Sequence, residues 1–202
     1  MFTGFIKDTA IIDHIQSLDS GIELTIKVPH QFGQEVIVKS HISLNGQVFT
    51  VFDKQESNDA VLLSFYLSNS RKLGSYERQE KINIEKAISL GEELPGTWFY
   101  GVPSGQAQIL SLKKLEGEKL EMELNWQDPL IKYLDVKDQV SIDGVLLQIR
   151  KMTASSLFFE LYPETLKLTN LGNKQEGSLI NIEVDPIVKK VGQIMERLKI
   201  NQ

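Results

Sequence analysis

Ile22, Leu24, Ile26 and Val28 are each separated by one residue that is mostly polar, and Leu120, Met122 and Leu124 repeat the alternation farther along. A period of two puts alternate side chains on opposite sides of an extended chain, so these segments predict strands with one buried face. Turn-forming clusters bound them at Asp19-Ser20-Gly21, Ser57-Asn58-Asp59 and Glu116-Gly117-Glu118. Several short strands divided in this way predict an all-β barrel or sandwich, and a barrel, which closes its edges, is the favoured form. The opening Met1-Phe2-Thr3-Gly4-Phe5-Ile6-Lys7-Asp8 reads as the first strand.

Sliding the chain along itself uncovers an internal repeat at an offset of 98 residues. Ile42-Ser43-Leu44-Asn45-Gly46 falls on Val140-Ser141-Ile142-Asp143-Gly144, Phe49-Thr50-Val51 on Leu147-Gln148-Ile149, Leu73-Gly74 on Leu171-Gly172, and Ile82-Asn83-Ile84-Glu85 on Ile180-Asn181-Ile182-Glu183. Separated blocks in one register predict two homologous halves of roughly 90 residues, a size at which small domains fold. The expected division is residues 1–96, 97–186 and a terminal segment 187–202. In that last segment Ile187, Val188, Val191, Ile194, Met195 and Leu198 recur at helical spacing behind Asp185-Pro186, with proline in the first turn. The apolar stripe of this helix either covers the second half or pairs with copies of itself.

Asn45-Gly46 and Asp143-Gly144 suit two-residue type I′ hairpin turns, in which both central residues need positive φ. Symmetric pairing across the first turn puts Ile42, Phe49 and Val51 on one face and His41, Ser43, Val48 and Thr50 on the other. The second hairpin sorts into Val140, Leu147 and Ile149 against Gln139, Ser141, Leu146 and Gln148. Val48 and Leu146 are therefore equivalent apolar residues on otherwise polar faces, suited to a ligand cleft or to a subunit contact.

Composition narrows the chemistry. With 22 Lys and Arg against 27 Asp and Glu the net charge is −5, so no broad basic surface is expected to bind nucleic acid or anionic lipid. No apolar run approaches the roughly 18 residues of a membrane span, and the amino terminus lacks the basic-then-apolar order of a secretory signal. There is no cysteine, which removes disulfides and thiolate chemistry and fits a cytoplasmic setting. His14, His30 and His41 are not at metal-ligand spacing, and no dinucleotide, P-loop or esterase-elbow motif occurs, so no metal is expected.

Met1-Phe2-Thr3-Gly4, Asn45-Gly46 followed by Val48-Phe49-Thr50-Val51, and Ile82-Asn83-Ile84-Glu85-Lys86-Ala87 together resemble riboflavin synthase. The second half resembles it more closely, through Ile142-Asp143-Gly144, Tyr162-Pro163-Glu164-Thr165-Leu166, Thr169-Asn170-Leu171-Gly172 and Asn181-Ile182-Glu183-Val184-Asp185-Pro186. The resemblance covers essentially the whole chain. It implies two six-stranded Greek-key β-barrels with a C-terminal α-helix that helps assemble a homotrimer. The implied reaction is a dismutation in which two molecules of 6,7-dimethyl-8-ribityllumazine exchange a four-carbon unit to give riboflavin and a ribitylamino-pyrimidine. No cofactor is required, and the lumazine or a flavin is the bound ligand.

By the same resemblance, one pocket comprises Gly4, Phe5 and Ile6, then Val48, Phe49 and Thr50, and the stretch from Leu62 to Leu67. The partner pocket comprises Gly101, Val102 and Pro103, then Lys137, then Leu146, Leu147 and Gln148, and Glu160 to Thr165 with Tyr162 and Pro163. Thr50, Lys137, Thr165 and Asp185 keep the family's residue type. The departures fall where the chemistry is expected. The family's G-G-H-x-x-S-G-H reads Pro95-Gly96-Thr97-Trp98-Phe99-Tyr100-Gly101-Val102, its usual cysteine is Val48, and the serine and threonine of D-G-x-S-L-T are Leu146 and Gln148. No catalytic set is intact, and valine and leucine can neither donate nor accept a proton. Three readings follow: a lumazine or flavin binder with weak or lost dismutase activity, an active riboflavin synthase, and a scaffold acting through protein contacts at Trp98, Phe99 and Tyr100.

Overall fold

The computed structural model describes residues 1–57, 60–68, 76–89, 91–92 and 97–200. Asn58-Asp59, the Leu73-Gly74 block of the repeat and Pro95-Gly96 lie outside the described residues. The first half contains β1 (Asp8–Leu18), β2 (Gly21–Val28), a short helix α1 (His30–Gln34), β3 (His41–Leu44), β4 (Gln47–Glu56), β5 (Val61–Ser68) and β6 (Lys81–Lys86). These close into a Greek-key barrel in the order β1-β2-β5-β4-β3-β6. Its interior holds the residues that alternation selects, among them Ile22, Leu24, Ile26, Val28, Ile42, Phe49 and Val51.

The second half contains β7 (Gly105–Lys114), β8 (Leu120–Asn125), β9 (Gln139–Ile142), β10 (Val145–Gln148), β11 (Lys151–Met152), β12 (Ser156–Leu161), α2 (Pro163–Leu168), β13 (Leu179–Val184) and α3 (Pro186–Ile200). Its sheet runs β10-β9-β13-β7-β8-β12-β11. Seven strands stand here where six are expected, because the counterpart of β4 is divided into β10 and β11 at Ile149-Arg150. Those two residues still hold the sheet ends together: the Arg150 N–H donates to the Phe158 carbonyl at 2.8 Å and the Ile149 N–H to that of Asp138 at 2.9 Å.

Both hairpins pair as the turn residues predict, with Ile42 opposite Phe49, Ser43 opposite Val48, and Leu146 opposite Ser141. Asn45, Gly46, Asp143 and Gly144 all have positive φ, at 47°, 78°, 46° and 85°. In contrast, residues 1–6 are not the first strand, which begins at Asp8. They cross to the other half: Phe2 exchanges two 2.8 Å backbone hydrogen bonds with Phe99, and Ile6 is buried in the second core.

Helix α3 begins where the proline predicts. Asp185 caps it by accepting the Ile187 N–H at 2.7 Å. Val188 packs against the second core, Gly192 lies against the Tyr133 ring, and Glu196 pairs with Lys132 at 2.6 Å. This docking uses one side of the helix only. Ile187, Val191, Ile194, Met195 and Leu198 stay exposed on the rest of it.

Candidate functional site

The two hairpin turns meet tip to tip. A β-carbon built on Gly46 would stand 2.8 Å from the Gly144 nitrogen, and one on Gly144 2.9 Å from the Gly46 nitrogen, so only glycine admits this approach. Around the contact lies a buried polar network that follows the repeat. The Asn83 N–H donates to Asn45 Oδ1 and the Asn181 N–H to Asp143 Oδ1, each at 2.8 Å. The side-chain amides then cross over, Asn83 Nδ2 donating to the Asp143 carbonyl at 2.8 Å and Asn181 Nδ2 to that of Asn45 at 2.9 Å. Asn170 spans both turns: its Nδ2 donates to Asn45 Oδ1 and Asp143 Oδ2, each at 3.1 Å, and its Oδ1 accepts from Asn83 Nδ2 at 2.8 Å.

Asparagine at position 45 and aspartate at 143 break the repeat for a chemical reason. Asp143 Oδ2 faces two donors, Asn170 Nδ2 and the Lys174 ammonium at 3.5 Å, and an acceptor-only group meets both. The Asp143 carboxyl is nonetheless held above its ordinary range, chiefly by burial, with Lys174 opposing.

Two crossing segments flank this centre. The Gly4 carbonyl accepts the Leu146 N–H, and the Gly101 carbonyl accepts the Val48 N–H, each at 2.9 Å. A β-carbon on Gly4 would lie 2.8 Å from that of Leu146, and one on Gly101 2.8 Å from that of Val48. Each half thus lays a glycine over the other half's hairpin. The carry-over from the resemblance groups Gly4, Phe5 and Ile6 with the first pocket and Gly101, Val102 and Pro103 with the second, but the structure sets each against the opposite hairpin. Glu85 fixes the first segment by accepting from Thr3 N, Thr3 Oγ1 and Gly4 N at 2.5, 2.7 and 3.1 Å. Glu183 fixes the second by accepting from Tyr100, Gly101 and Val102 N at 2.9, 3.1 and 3.2 Å. Burial raises both carboxyls above their usual range, and the accepted hydrogen bonds offset part of that rise.

A carboxyl whose folded-state pKa exceeds its unfolded value favours folding fully below the unfolded value, and the gain is lost as pH rises through the folded value. For Glu85, Glu183 and Asp143 that window opens above ordinary values of 4.5, 4.5 and 3.8. Glu56 and Glu160 are shifted the other way by Lys54 and Lys119, but they sit at the surface, where solvent screens them. The midpoint of thermal unfolding is therefore expected to fall as pH is raised above about 4.5. A midpoint that climbs across this range contradicts the assignment.

The remaining predicted site residues divide by parity. Phe49, Leu67 and Leu147 are buried in the cores. Pro103 is buried as well. Val48, Thr50 and Phe52 lie on the outer face of β4, beside Leu62, Ser64 and Tyr66 of β5, with Ser64 Oγ 2.9 Å from Thr25 Oγ1. Val102 is 56% exposed and Phe5 55%. On the second barrel Leu146 is half-buried, while Gln148 and Lys137 are exposed. Gln148 Nε2 donates to the Lys137 carbonyl at 3.2 Å. Glu160 pairs with Lys119 at 2.6 Å, and the Lys119 ammonium lies 4.8 Å from the Tyr162 ring centre. Pro163 opens α2, and the Thr165 carbonyl accepts from Thr169 Oγ1 at 2.6 Å. Asp185, besides capping α3, accepts the Thr97 hydroxyl at 2.9 Å.

Phe99 is buried between exposed Trp98 and Tyr100, so these three do not form one apolar patch. All three histidines are exposed. Among the described residues no group of three or more acidic or histidine side chains is placed to hold a metal, and no helix is long and apolar enough to cross a membrane.

Two barrels are joined through paired glycine turns, each covered by a glycine segment of the other half; residues 101–185 match the lumazine binding domain, and the chain is similar along its length to riboflavin synthases. It is 25% identical over 211 aligned residues to riboflavin synthase of Brucella abortus (strain 2308), covering 98% of this chain and 100% of that protein. It is 27% identical over 202 residues to riboflavin synthase of Bacillus subtilis (strain 168), covering 100% and 93%. Crystal structures of LumP share the fold over 91% of this chain and 99% of theirs. The complex with 6,7-dimethyl-8-(1'-D-ribityl) lumazine superimposes with a TM-score of 0.79 at 22% identity, and the complex with riboflavin with 0.82 at 24%. The complex with flavin mononucleotide gives 0.79 at 23%.

Proposed function

We propose that this protein binds 6,7-dimethyl-8-ribityllumazine, riboflavin or a related flavin, and that it converts the lumazine poorly or not at all. The observation that carries the reading is the apolar pair Val48 and Leu146. They occupy equivalent places beneath the crossing glycines, where the resemblance expects cysteine and serine, and exposed Val102 stands where it expects histidine. The outer hairpin faces, with Thr50 on the first and Gln148 bonded to Lys137 on the second, offer apolar side chains and polar groups that suit a flat heterocycle with a polyol tail. They supply little for moving the 7-methyl proton. Thr97 donates to Asp185, Gln148 is bonded to a backbone carbonyl, and Glu85 and Glu183 accept backbone N–H groups. General acid–base groups contribute about 10²–10⁴-fold each, so losing several leaves turnover slow.

Binding is assigned to the second barrel, within the residues that match the lumazine binding domain, with a footprint on Lys137 and Thr165. The exposed stripe of α3 joins copies into a homotrimer in the cytoplasm. Titrating the purified protein with the lumazine and with riboflavin, followed by fluorescence anisotropy, is expected to give saturable binding that Lys137→Ala weakens. No change up to millimolar ligand contradicts the reading. The alternative, an active riboflavin synthase, is favoured by the full-length alignment with riboflavin synthases. Riboflavin released from the lumazine, and abolished by Lys137→Ala, selects it.

A further inference from the structure

The two outer faces are copies of one another in fold but not in charge. The position that holds Phe52 in the first barrel, at the irregularity in β4, holds Arg150 in the second, at the break between β10 and β11. The strand pairings make Tyr66 of β5 the counterpart of Glu160 in β12: Phe65 pairs with Leu24 and Phe159 with Met122, its equivalent in the repeat. An aromatic, neutral face has thus become a charged one. Glu160 pairs with Lys119 at 2.6 Å, whereas Arg150 is exposed and, among the described residues, makes no contact ion pair, although its charge, behind that of Lys119, helps lower the Glu160 carboxyl. Its Nη2 donates to the Tyr162 hydroxyl at 3.1 Å, which holds the guanidinium against a predicted binding residue and leaves most of its N–H fork unused.

Building on the flavin-binding reading, we infer that Arg150 makes the second-barrel face selective for a ligand whose polyol tail ends in a phosphate monoester. The planar guanidinium fork matches phosphate oxygens in pairs and gains little from a neutral hydroxyl. The counterpart face, with Phe52 and Tyr66, carries no such group.

The test compares flavin mononucleotide with riboflavin on the intact protein and on Arg150→Gln, by anisotropy titration at low and at high salt. Because Arg150 is exposed, circular dichroism is expected to be unchanged by the substitution. Flavin mononucleotide is expected to bind about ten-fold more tightly than riboflavin, as one charge-assisted pair supplies. That ratio is expected to fall to about one in Arg150→Gln, with riboflavin affinity preserved, and to shrink with salt in the parent protein. Equal affinities in the parent, or a preference that survives the substitution, overturn the inference and leave flavin binding standing. Absence of binding by both ligands overturns flavin binding as well.

Discussion

Gly144→Ala is expected to destabilise the fold by roughly 3 kcal/mol or more, and Gly46→Ala by a similar amount. Two costs add. At φ of 85° and 78° an L-residue is strained, by about 1–2 kcal/mol. Its methyl group would also press on the backbone of the opposing turn, 2.9 Å from the Gly46 nitrogen in one case and 2.8 Å from the Gly144 nitrogen in the other. That backbone cannot retreat, because Asn45 and Asp143 tie both turns to β6 and β13. Gly117 serves as the control: its φ of 71° is similar, but nothing lies within 4 Å of an added β-carbon, so Gly117→Ala should lose only the strain. Urea unfolding of the three variants checks the difference, and equal losses at Gly117 and Gly144 contradict the tip-to-tip contact.

Asn170→Ala should cost about 2–4 kcal/mol, since three buried side-chain hydrogen bonds go, each worth roughly 0.5–1.5 kcal/mol. Asn83 Nδ2 loses one of its two acceptors and keeps the Asp143 carbonyl, Asn45 Oδ1 keeps the Asn83 N–H, and Asp143 keeps the Asn181 N–H and Lys174. Because Asn170 links the turn of each barrel, the loss is expected to loosen the halves from one another as well as to lower the unfolding midpoint. Limited proteolysis at the segment joining the barrels, together with urea unfolding, reads both effects. A variant as stable as the parent shows that the network carries no weight.

Local rules reached much of this architecture. Alternation selects the core faces of β2 and β8, the two turn dipeptides fix the hairpin registers, and Asp185-Pro186 places the start of α3. What they did not reach depends on contacts distant in the chain. Residues 1–6 have the composition of a strand, and nothing local says that Gly4 lies over Leu146. A signal was present, however: Met1-Phe2-Thr3-Gly4 and Trp98-Phe99-Tyr100-Gly101 share an aromatic residue two places before a glycine, as a repeated crossing segment would. Asn83 and Asn181 stand at matching positions on two apolar strands, where polar residues imply a partnered network. The division of the β4 counterpart escaped because Ile149 and Arg150 still bond across the sheet as strand residues do. Phe49, Leu67 and Leu147 entered the predicted pockets by resemblance, although parity alone assigns Phe49 and Leu147 to the cores.

The central claim, recognition of the heterocycle without efficient chemistry on it, is tested most directly by following riboflavin formation in a sample of the protein saturated with 6,7-dimethyl-8-ribityllumazine. The account predicts a stable complex whose lumazine spectrum persists, with riboflavin appearing no faster than in the protein-free control. Rapid riboflavin release at multiple turnovers per subunit would contradict it.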